Sequence, residues 1–530
     1  MARLVPIGNG YHPCPADGNS RRRKPVLRYA PSSTRDSRAG MKRHPILAAL
    51  LFSCVLGCGD GGPKGTSSSG DPPDTSPPAV SGAFSWYVDI TPAHSLGNGY
   101  AVAPDGRVAF AFTPVEDGTV AGEPFTHYGP GNTTPNYDAL VAVIDPTGKL
   151  AWARSFATAE IETTTALAFD EAGDLYLSGI FKDNTDGLDF GNGVTVGIGP
   201  GEISSYLVKL RGTDGAALWA TAITSGDSYV QPTCGFTEKE LAVRGGRGAL
   251  GCLFDGGDGT GAIRILTQTG MADIAAAGPD TNVIVLGFDP STGQLAGSYV
   301  LGGADVNVRS LAITDSGGVV LGGVSEAGNV TDSAGSNPLV FTAATSCFVA
   351  ALDATFKPTA RRIFGGEASS NCAIGDIALA GPDRILVGGN AEGAVGLGDE
   401  GPSSGTIGFA GVLRADLLNA GAFDRFADGR VFGVATDVWG QSFVGVARQT
   451  NPAVFFRYMK RDADGNVVWS SKEYGAEDGS IFAELDAFGF GVDKAGWPTV
   501  FGVLTGGPFV FDDGPHGGAD PHFFAVKFEP

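Results

Sequence analysis

The sequence predicts an all-β protein: a β-propeller, most simply of seven blades with four antiparallel strands each, whose ring is closed by the N-terminal strand joining the last blade. Three observations predict it. The composition is that of short strands and tight turns, a strand-turn-strand module with Asp and Gly in its turn recurs along the chain, and a second module follows each copy except the last, which lacks its final strand.

Of 530 residues, 82 are Gly and 32 Pro, only 18% are charged and 4 are Met. Glycine-rich turns between β-branched and aromatic runs give this profile, whereas helical proteins need long periodic stretches of Leu, Glu, Lys and Ala. No convincing long helix follows residue 58, and one large all-β domain can exceed the usual domain size.

The first module reads "VAPDGRVAFAF" from Val102, "AFDEAGDLYLSGIF" from Ala168, "AITDSGGVVLGGV" from Ala312, "LAGPDRILVGGN" from Leu379, "VATDVWGQSFVGV" from Val434 and "GVDKAGWPTVFGV" from Gly491. A poor copy, "LAVRGGRGALGCLF" from Leu241, stands third. Each alternates, turns tightly and alternates again, as a hairpin does. The second module is a strand, a turn and a strand, as in "YDALVAVIDPTGKLAWARSF" from Tyr137, "SYLVKLRGTDGAALWATAI" from Ser205 and "AVFFRYMKRDADGNVVWSSKEYG" from Ala453. Two modules make four strands, and the Asp-Gly turns recur every 54 to 74 residues or so, the pattern of radially repeated antiparallel sheets. If the third unit is misread, the count becomes six or eight.

The chain stops on "HFFAVKFEP", a seventh copy of the "LVKL" strand with no tryptophan strand after it. An orphan of the missing kind opens the domain, "FSWYVDI" from Phe84 to Ile90, where Trp86 aligns with Trp152, Trp219 and Trp469. Joining these strands removes two exposed edges.

The front of the chain reads as an address. Met41 to Cys58, "MKRHPILAALLFSCVLGC", has basic residues, an apolar run too short to span a bilayer as a mature helix, and a small residue before cysteine. Its ending resembles the lipobox of bacterial lipoproteins, which implies a diacylglycerol on the Cys58 thiol and cleavage just before it. Residues 1–40 fit neither address nor core, so they are a start called too early, with Met41 as initiator, or an extended basic n-region. Residues 59–83 form a Gly/Ser/Pro-rich linker that cannot bury a core, and 84–530 hold the propeller. This organisation predicts export, a membrane contact through the lipid anchor, and a place in the cell envelope, at the outer membrane or cell surface.

Residues 1–58 hold 10 of the 36 basic and 2 of the 57 acidic residues, which leaves 26 against 55 on the remainder, a net of −29. So acidic a surface repels phosphate backbones and excludes nucleic acid as an expected partner. Four cysteines follow Cys58, an even number that suits an oxidising compartment. Cys234 and Cys252 flank one hairpin, and Cys347 and Cys372 sit on consecutive segments; that pairing is the expectation among three possible connectivities and free thiols.

The units resemble those of propeller-repeat lipoproteins of Gram-negative bacteria, most clearly in "SGIF" at Ser178, "LDFGNG" at Leu188, "YLVKL" at Tyr206 and "VFDDG" at Val510. The resemblance covers most of 84–530 and implies a propeller and an envelope location. It carries over no catalytic residue. Units three and five depart furthest, lacking Trp in the last strand.

Catalytic patterns were weighed against context. "GRGALG" (Gly246 to Gly251) has the dinucleotide-loop spacing, but no helix follows to meet a pyrophosphate. "GPSSG" (Gly401 to Gly405) lacks the strand-to-helix turn of a nucleophile elbow. His94, His127, His516 and His522 are the histidines after residue 58, and "DDGPHGGADPH" groups His516 and His522 with Asp512, Asp513 and Asp520, at a place where other units carry a connecting loop. "DNTDGLD" offers Asp183, Asp186 and Asp189 to a hard cation such as Ca²⁺, without EF-hand spacing. No other cofactor is expected. Trp86, Trp152, Trp219 and Trp469 recur at one place in the units that carry them and are expected to pack between blades; Trp439 and Trp497 lie beside Asp-Gly turns, where packing again competes with a role in stacking on a ligand.

The expected function is a lipid-anchored binding module for protein or glycan, with no catalytic set identified. The alternative is a sugar- or lactone-processing propeller enzyme with a metal or carboxylates in its central channel. Membership of a larger envelope complex, through an apolar face, is a third reading.

Overall fold

The protein was analysed as a computed structural model. It describes residues 81–530 except 92–94, 115, 127–137, 159, 183–186, 198–201, 226–230, 236, 238, 258, 280, 304, 336–337, 399–400, 428, 451–452, 476–488, 505–507 and 518–521. Cys58, the leader and the linker up to residue 80 lie outside the described residues, as do Asp183, Asp186, His94, His127 and Asp520.

The fold is all-β, and no helix occurs among the described residues. Strands pair into seven antiparallel units there. The first comprises Ser95–Val102, Val108–Pro114, Ala139–Ile144 and Leu150–Phe156; the second, Glu162–Phe169, Leu175–Lys182, Ile203–Leu210 and Ala217–Ser225. In the third, the first strand is split into Thr233–Cys234 and Leu241–Arg244, followed by Arg247–Asp255, Thr281–Phe288 and Leu295–Gly302. The fourth comprises Val306–Ile313, Val319–Asp332, Leu339–Leu352 and Pro358–Phe364; the fifth, Asn371–Leu379, Arg384–Glu392, Thr406–Arg414 and Asp424–Ala427. The sixth has Gly429–Thr436, Ser442–Thr450, Ala453–Arg461 and Val467–Ser470. The seventh takes Gly489–Val492, Pro498–Leu504 and His522–Phe528, and its fourth strand is Phe84–Thr91 from the front of the domain.

The turns form because aspartate caps them. Asp145 Oδ1 accepts from Thr147 N at 2.8 Å and Lys149 N at 3.1 Å, and Asp353, Asp437, Asp462 and Asp493 repeat this local bonding. Gly106, at φ 88°, supplies the left-handed residue such a turn needs. The lysine of the "LVKL" strand then ties the first turn to the third strand: Lys209 pairs with Asp170 and Asp174 at 3.1 Å each, and Lys527 with Asp493 at 3.0 Å.

First strands pack unit against unit in sequence, against the first or second strand of the unit before. Gly99 lies against Thr165, Ala166 against Gly235, Lys239 bridges Ser310, Gly322 meets Ile374, Gly388 meets Val431, and Gly433 meets Phe490. Gly489 of the seventh unit lies against Tyr100 of the first, whose ring leaves no room for a Cβ. Outer strands pack through their tryptophans. The indoles of Trp86, Trp152 and Trp219 donate to Pro146 O, Gly212 O and Pro290 O of the next unit's outer turn, each at 3.0 Å, while Trp469 covers Gly82. Units three, four and five have no tryptophan in the last strand; Phe356 of the fourth unit lies over Gly287 and Gly297 of the third, and Phe423 lies over Gly411 within the fifth.

Short hairpins extend the sheets. Ala262–Thr267 and Gly270–Ala275 add to the second unit beyond Ala217–Ser225, and Gly118–Val120 with Glu123–Phe125 adds to Phe84–Thr91. These additions were not read from the sequence.

Candidate functional site

The irregular third unit delivers a lysine to the place where the first strands converge. Its opening strand pairs with Arg247–Asp255 at Cys234 and resumes at Leu241, and a bulge is formed opposite Gly251, whose N donates to Glu240 O while its own O accepts from Gly235 N. A bulge re-aims side chains, here that of Lys239. Its Nζ donates to Phe490 O at 3.0 Å, sits 3.7 Å from Asp376 Oδ2, and lies 4.9 Å from the Tyr100 ring centroid. Asp376 is buried and accepts from Ser310 Oγ at 3.2 Å, Ile377 N at 2.8 Å and Val434 N at 2.9 Å. Burial pushes its carboxyl up, while Lys239 and these hydrogen bonds oppose that shift. Units one, three, four, five, six and seven thus each contribute a group to one polar knot.

Beside this knot opens a cavity of about 500 Å³. Its walls include Arg309 from the fourth unit, Asn371, Asn390 and Glu392 from the fifth, and Arg430 from the sixth, with Ile374, Val431 and Phe432 as an apolar floor. Arg309 Nε is shielded from solvent and has no hydrogen-bond partner among the described residues. Asn390 clamps the fifth unit to the sixth: its Oδ1 accepts from Val431 N at 3.0 Å. Phe432 is held by Phe456 and Phe490, with centroids 6.4 and 6.1 Å away.

Strand direction fixes which way this cavity faces. It takes the starts of two first strands (Asn371, Arg430), the end of a second (Glu392) and the start of a third (Thr406). The ends of the described domain meet on the other face, where Ser81 N donates to Pro530 O, Ser81 Oγ to Glu529 at 2.7 Å, and Glu529 N to Ala83 O at 2.8 Å.

Of the residues singled out in the sequence that the structure describes, Cys372 lines this cavity and the others lie elsewhere. Asp189 is exposed and its Oδ1 accepts from Gly191 N at 2.8 Å, as a turn residue does. Cys234 is disulfide-bonded to Cys252 across paired strands, and Cys347 to Cys372, which joins the fourth unit to the fifth at the cavity wall. His516 contacts Asp513 at 2.7 Å and Asp512 pairs with Lys472, while His522 is buried against Tyr87 at 3.1 Å. Among the described residues, no three or more His, Cys, Asp or Glu come together as a metal site would require. Gly246 to Gly251 runs into the strand Arg247–Asp255. Trp497 lies under Lys527 Nζ, 5.6 Å from its centroid, and Trp439 packs near Gly496.

Lys239, Arg309, Asp376 and Arg430 were missed by sequence reading. The available signal was the poor quality of the third copy, whose irregularity is the bulge that carries Lys239.

No family model and no curated protein matches the chain. Among solved structures it is similar to polysaccharide lyase Uly1, at 10% identity and a TM-score of 0.40, over 82% of this chain and 90% of that one. Sqt1 from Chaetomium thermophilum is similar at 12% identity and 0.38, over 85% and 100%. A subtype N10 neuraminidase-like protein from a little yellow-shouldered bat virus is similar at 9% and 0.34, over 83% and 98%. No residue role is carried over from them.

Proposed function

We propose that the seven units are blades of one closed propeller, held at the cell envelope by a lipid on Cys58, and that the domain binds a glycan in the cavity between its fourth, fifth and sixth units. The observation that carries this reading is the cavity itself: about 500 Å³, within the range of small-ligand sites, with polar groups from three units around an apolar floor. Its placement supports display. A tether entering at Ser81 would join the domain on the face opposite the cavity and leave its mouth clear of the attachment point. The order of contacts between successive units, from Gly99 to Gly489, supports the closed ring.

The enzymatic reading places carboxylates or a metal at the centre of the channel. Among the described residues, Lys239 reaches there to Asp376 and Phe490 O, a pairing that engages the Asp376 carboxylate. Binding is therefore the reading adopted.

A thermal-shift screen of the full chain against a panel of oligosaccharides and divalent ions tests it. A ligand at about 100 times its Kd adds roughly 2.7 kcal/mol, a readily measured shift. A saccharide that stabilises the wild type and not a cavity variant such as Asn371→Ala supports the proposal; a panel with no shift overturns it.

A further inference from the structure

We propose that the seam between the fifth and sixth units is the hinge of the ring, the place where neighbouring units part most readily, and that a saccharide in the cavity, which lies across this seam, holds it shut. The inference rests on the closed-ring and glycan-binding readings and adds a motion to them. Three observations carry it.

First, each junction between successive units has its own apolar cluster, and the one at this seam is the smallest among the described residues. It holds eight buried residues, among them Leu386 and Val412 of the fifth unit and Val431, Val434 and Met459 of the sixth. The other six clusters hold 13 to 23. None of the eight is aromatic, whereas every other cluster has buried aromatic rings. Aromatic side chains supply the largest apolar contacts in a core, so this pair of units separates with the least apolar surface to expose.

Second, the outer rim of this seam has no wedge. Trp86, Trp152 and Trp219 cover Gly148, Gly215 and Gly293, the left-handed glycines of the next unit's outer turn. In the sixth unit that turn position is Gly465, at φ 90°, and no described atom from elsewhere in the chain comes within 4 Å of where a Cβ would stand. Val467 beside it is 50% exposed, while Ala217, at the same register in the second unit, is fully buried. Polar links join the units instead. Val434 N donates to Asp376 Oδ2 at 2.9 Å, Val431 N to Asn390 Oδ1 at 3.0 Å and Thr436 Oγ1 to Leu379 O at 2.7 Å, and Arg461 pairs with Asp424. Water can take the place of each hydrogen-bond partner when the units part, so these bonds orient the two units more than they lock them.

Third, the cavity straddles this seam. Ile374, Asn390 and Glu392 belong to the fifth unit, and Val431 and Phe432 to the sixth. A ligand touching both sides keeps its contacts only while the units are together, so it favours the closed arrangement over the parted one.

The test is hydrogen exchange of the full chain, read by mass spectrometry. Without ligand, the amides of Arg384–Glu392 and Gly429–Thr436 are expected to exchange at least about tenfold faster than those of Val108–Pro114 and Glu162–Phe169, the matching strands of the seam with the largest cluster. Val434→Ala, which takes apolar contact from the small cluster without touching the cavity lining, should widen that difference. A panel of gluco-, manno-, galacto- and xylo-oligosaccharides of about two to six residues is then added, each within the size such a cavity can engage. Those that raise Tm should slow exchange in Arg384–Glu392 and Gly429–Thr436 and leave the other seam unchanged. Equal exchange at the two seams in the ligand-free protein overturns the hinge. A saccharide that raises Tm without slowing the seam overturns the coupling and leaves glycan binding standing. If no member of the panel raises Tm, the coupling falls together with the glycan reading, and ligand-free exchange alone decides the hinge.

Discussion

Lys239 Nζ and Asp376 Oδ2 lie 3.7 Å apart, an ion pair between the third and fifth units. Asp376 is almost wholly buried, and Lys239 is its cationic partner. Lys239→Met should therefore cost about 3 kcal/mol, because it leaves a buried carboxylate without its counter-charge. Asp376→Asn in the same chain should restore part of the loss. Urea unfolding of the two single variants and the double variant checks this, and additive losses would show that the pair is not coupled.

A second prediction concerns the tryptophans. Trp219 is buried and its indole donates to Pro290 O at 3.0 Å. Trp219→Phe should cost about 1 to 2 kcal/mol through that lost bond, and Trp219→Ala about 3 to 5 kcal/mol through the cavity added to it. Trp152→Phe should match Trp219→Phe, since Trp152 makes the same bond to Gly212 O. Denaturant midpoints at constant m-value provide the comparison.

The third prediction is a pH dependence. Glu162 is buried, and desolvation pushes its carboxyl from the usual 4.5 to about 7, opposed by hydrogen bonds from Thr158 and aided by Asp138 and Glu160. The unfolded chain releases this proton at lower pH than the folded one, so the folded state binds more protons between those two values. Stability from this group falls as pH rises from about 4.5 to about 7 and is level outside that window. Glu162→Gln should flatten this part of the Tm profile; an unchanged slope would rule Glu162 out as its source.

The fourth concerns the disulfides. Cys347–Cys372 spans 25 residues and joins the fourth unit to the fifth, whereas Cys234–Cys252 spans 18 residues within the third. Each closes a loop of similar length, so removing either with paired Cys→Ala changes should cost about 3 kcal/mol. Only loss of the inter-unit bond should also weaken saccharide binding, because Cys372 lines the cavity. Non-reducing peptide mapping verifies the connectivity, and titration compares the two variants.

The strand order was largely legible, because Asp-Gly turns and alternating runs are local signals that recur in register. Even the pairing of Phe84–Thr91 with His522–Phe528 could be read, from a tryptophan strand lacking a partner at one end and a "VKF" strand lacking one at the other. The site was not legible. Lys239 looks like an ordinary charged residue in "FTEKELAV", and its meaning depends on a bulge that only the pairing of Cys234 and Leu241 reveals. Arg309 and Arg430 stand about 120 residues apart in alternating runs, and only the packing of successive first strands puts both on one wall. Asp189, from an acidic run that drew attention in the sequence, serves as a turn residue.

The pairing of Phe84–Thr91 with His522–Phe528 also orders events in time. Phe84–Thr91 is among the first strands to leave the ribosome and the last to acquire its neighbour, since that neighbour lies more than 400 residues downstream. Until then its edge is open to any other strand, and contacts of such long range are slow to form. A chain truncated before His522 cannot satisfy that edge at all. An unfinished chain is therefore marked by a first strand with one edge left open, the kind of exposed edge that invites non-native pairing.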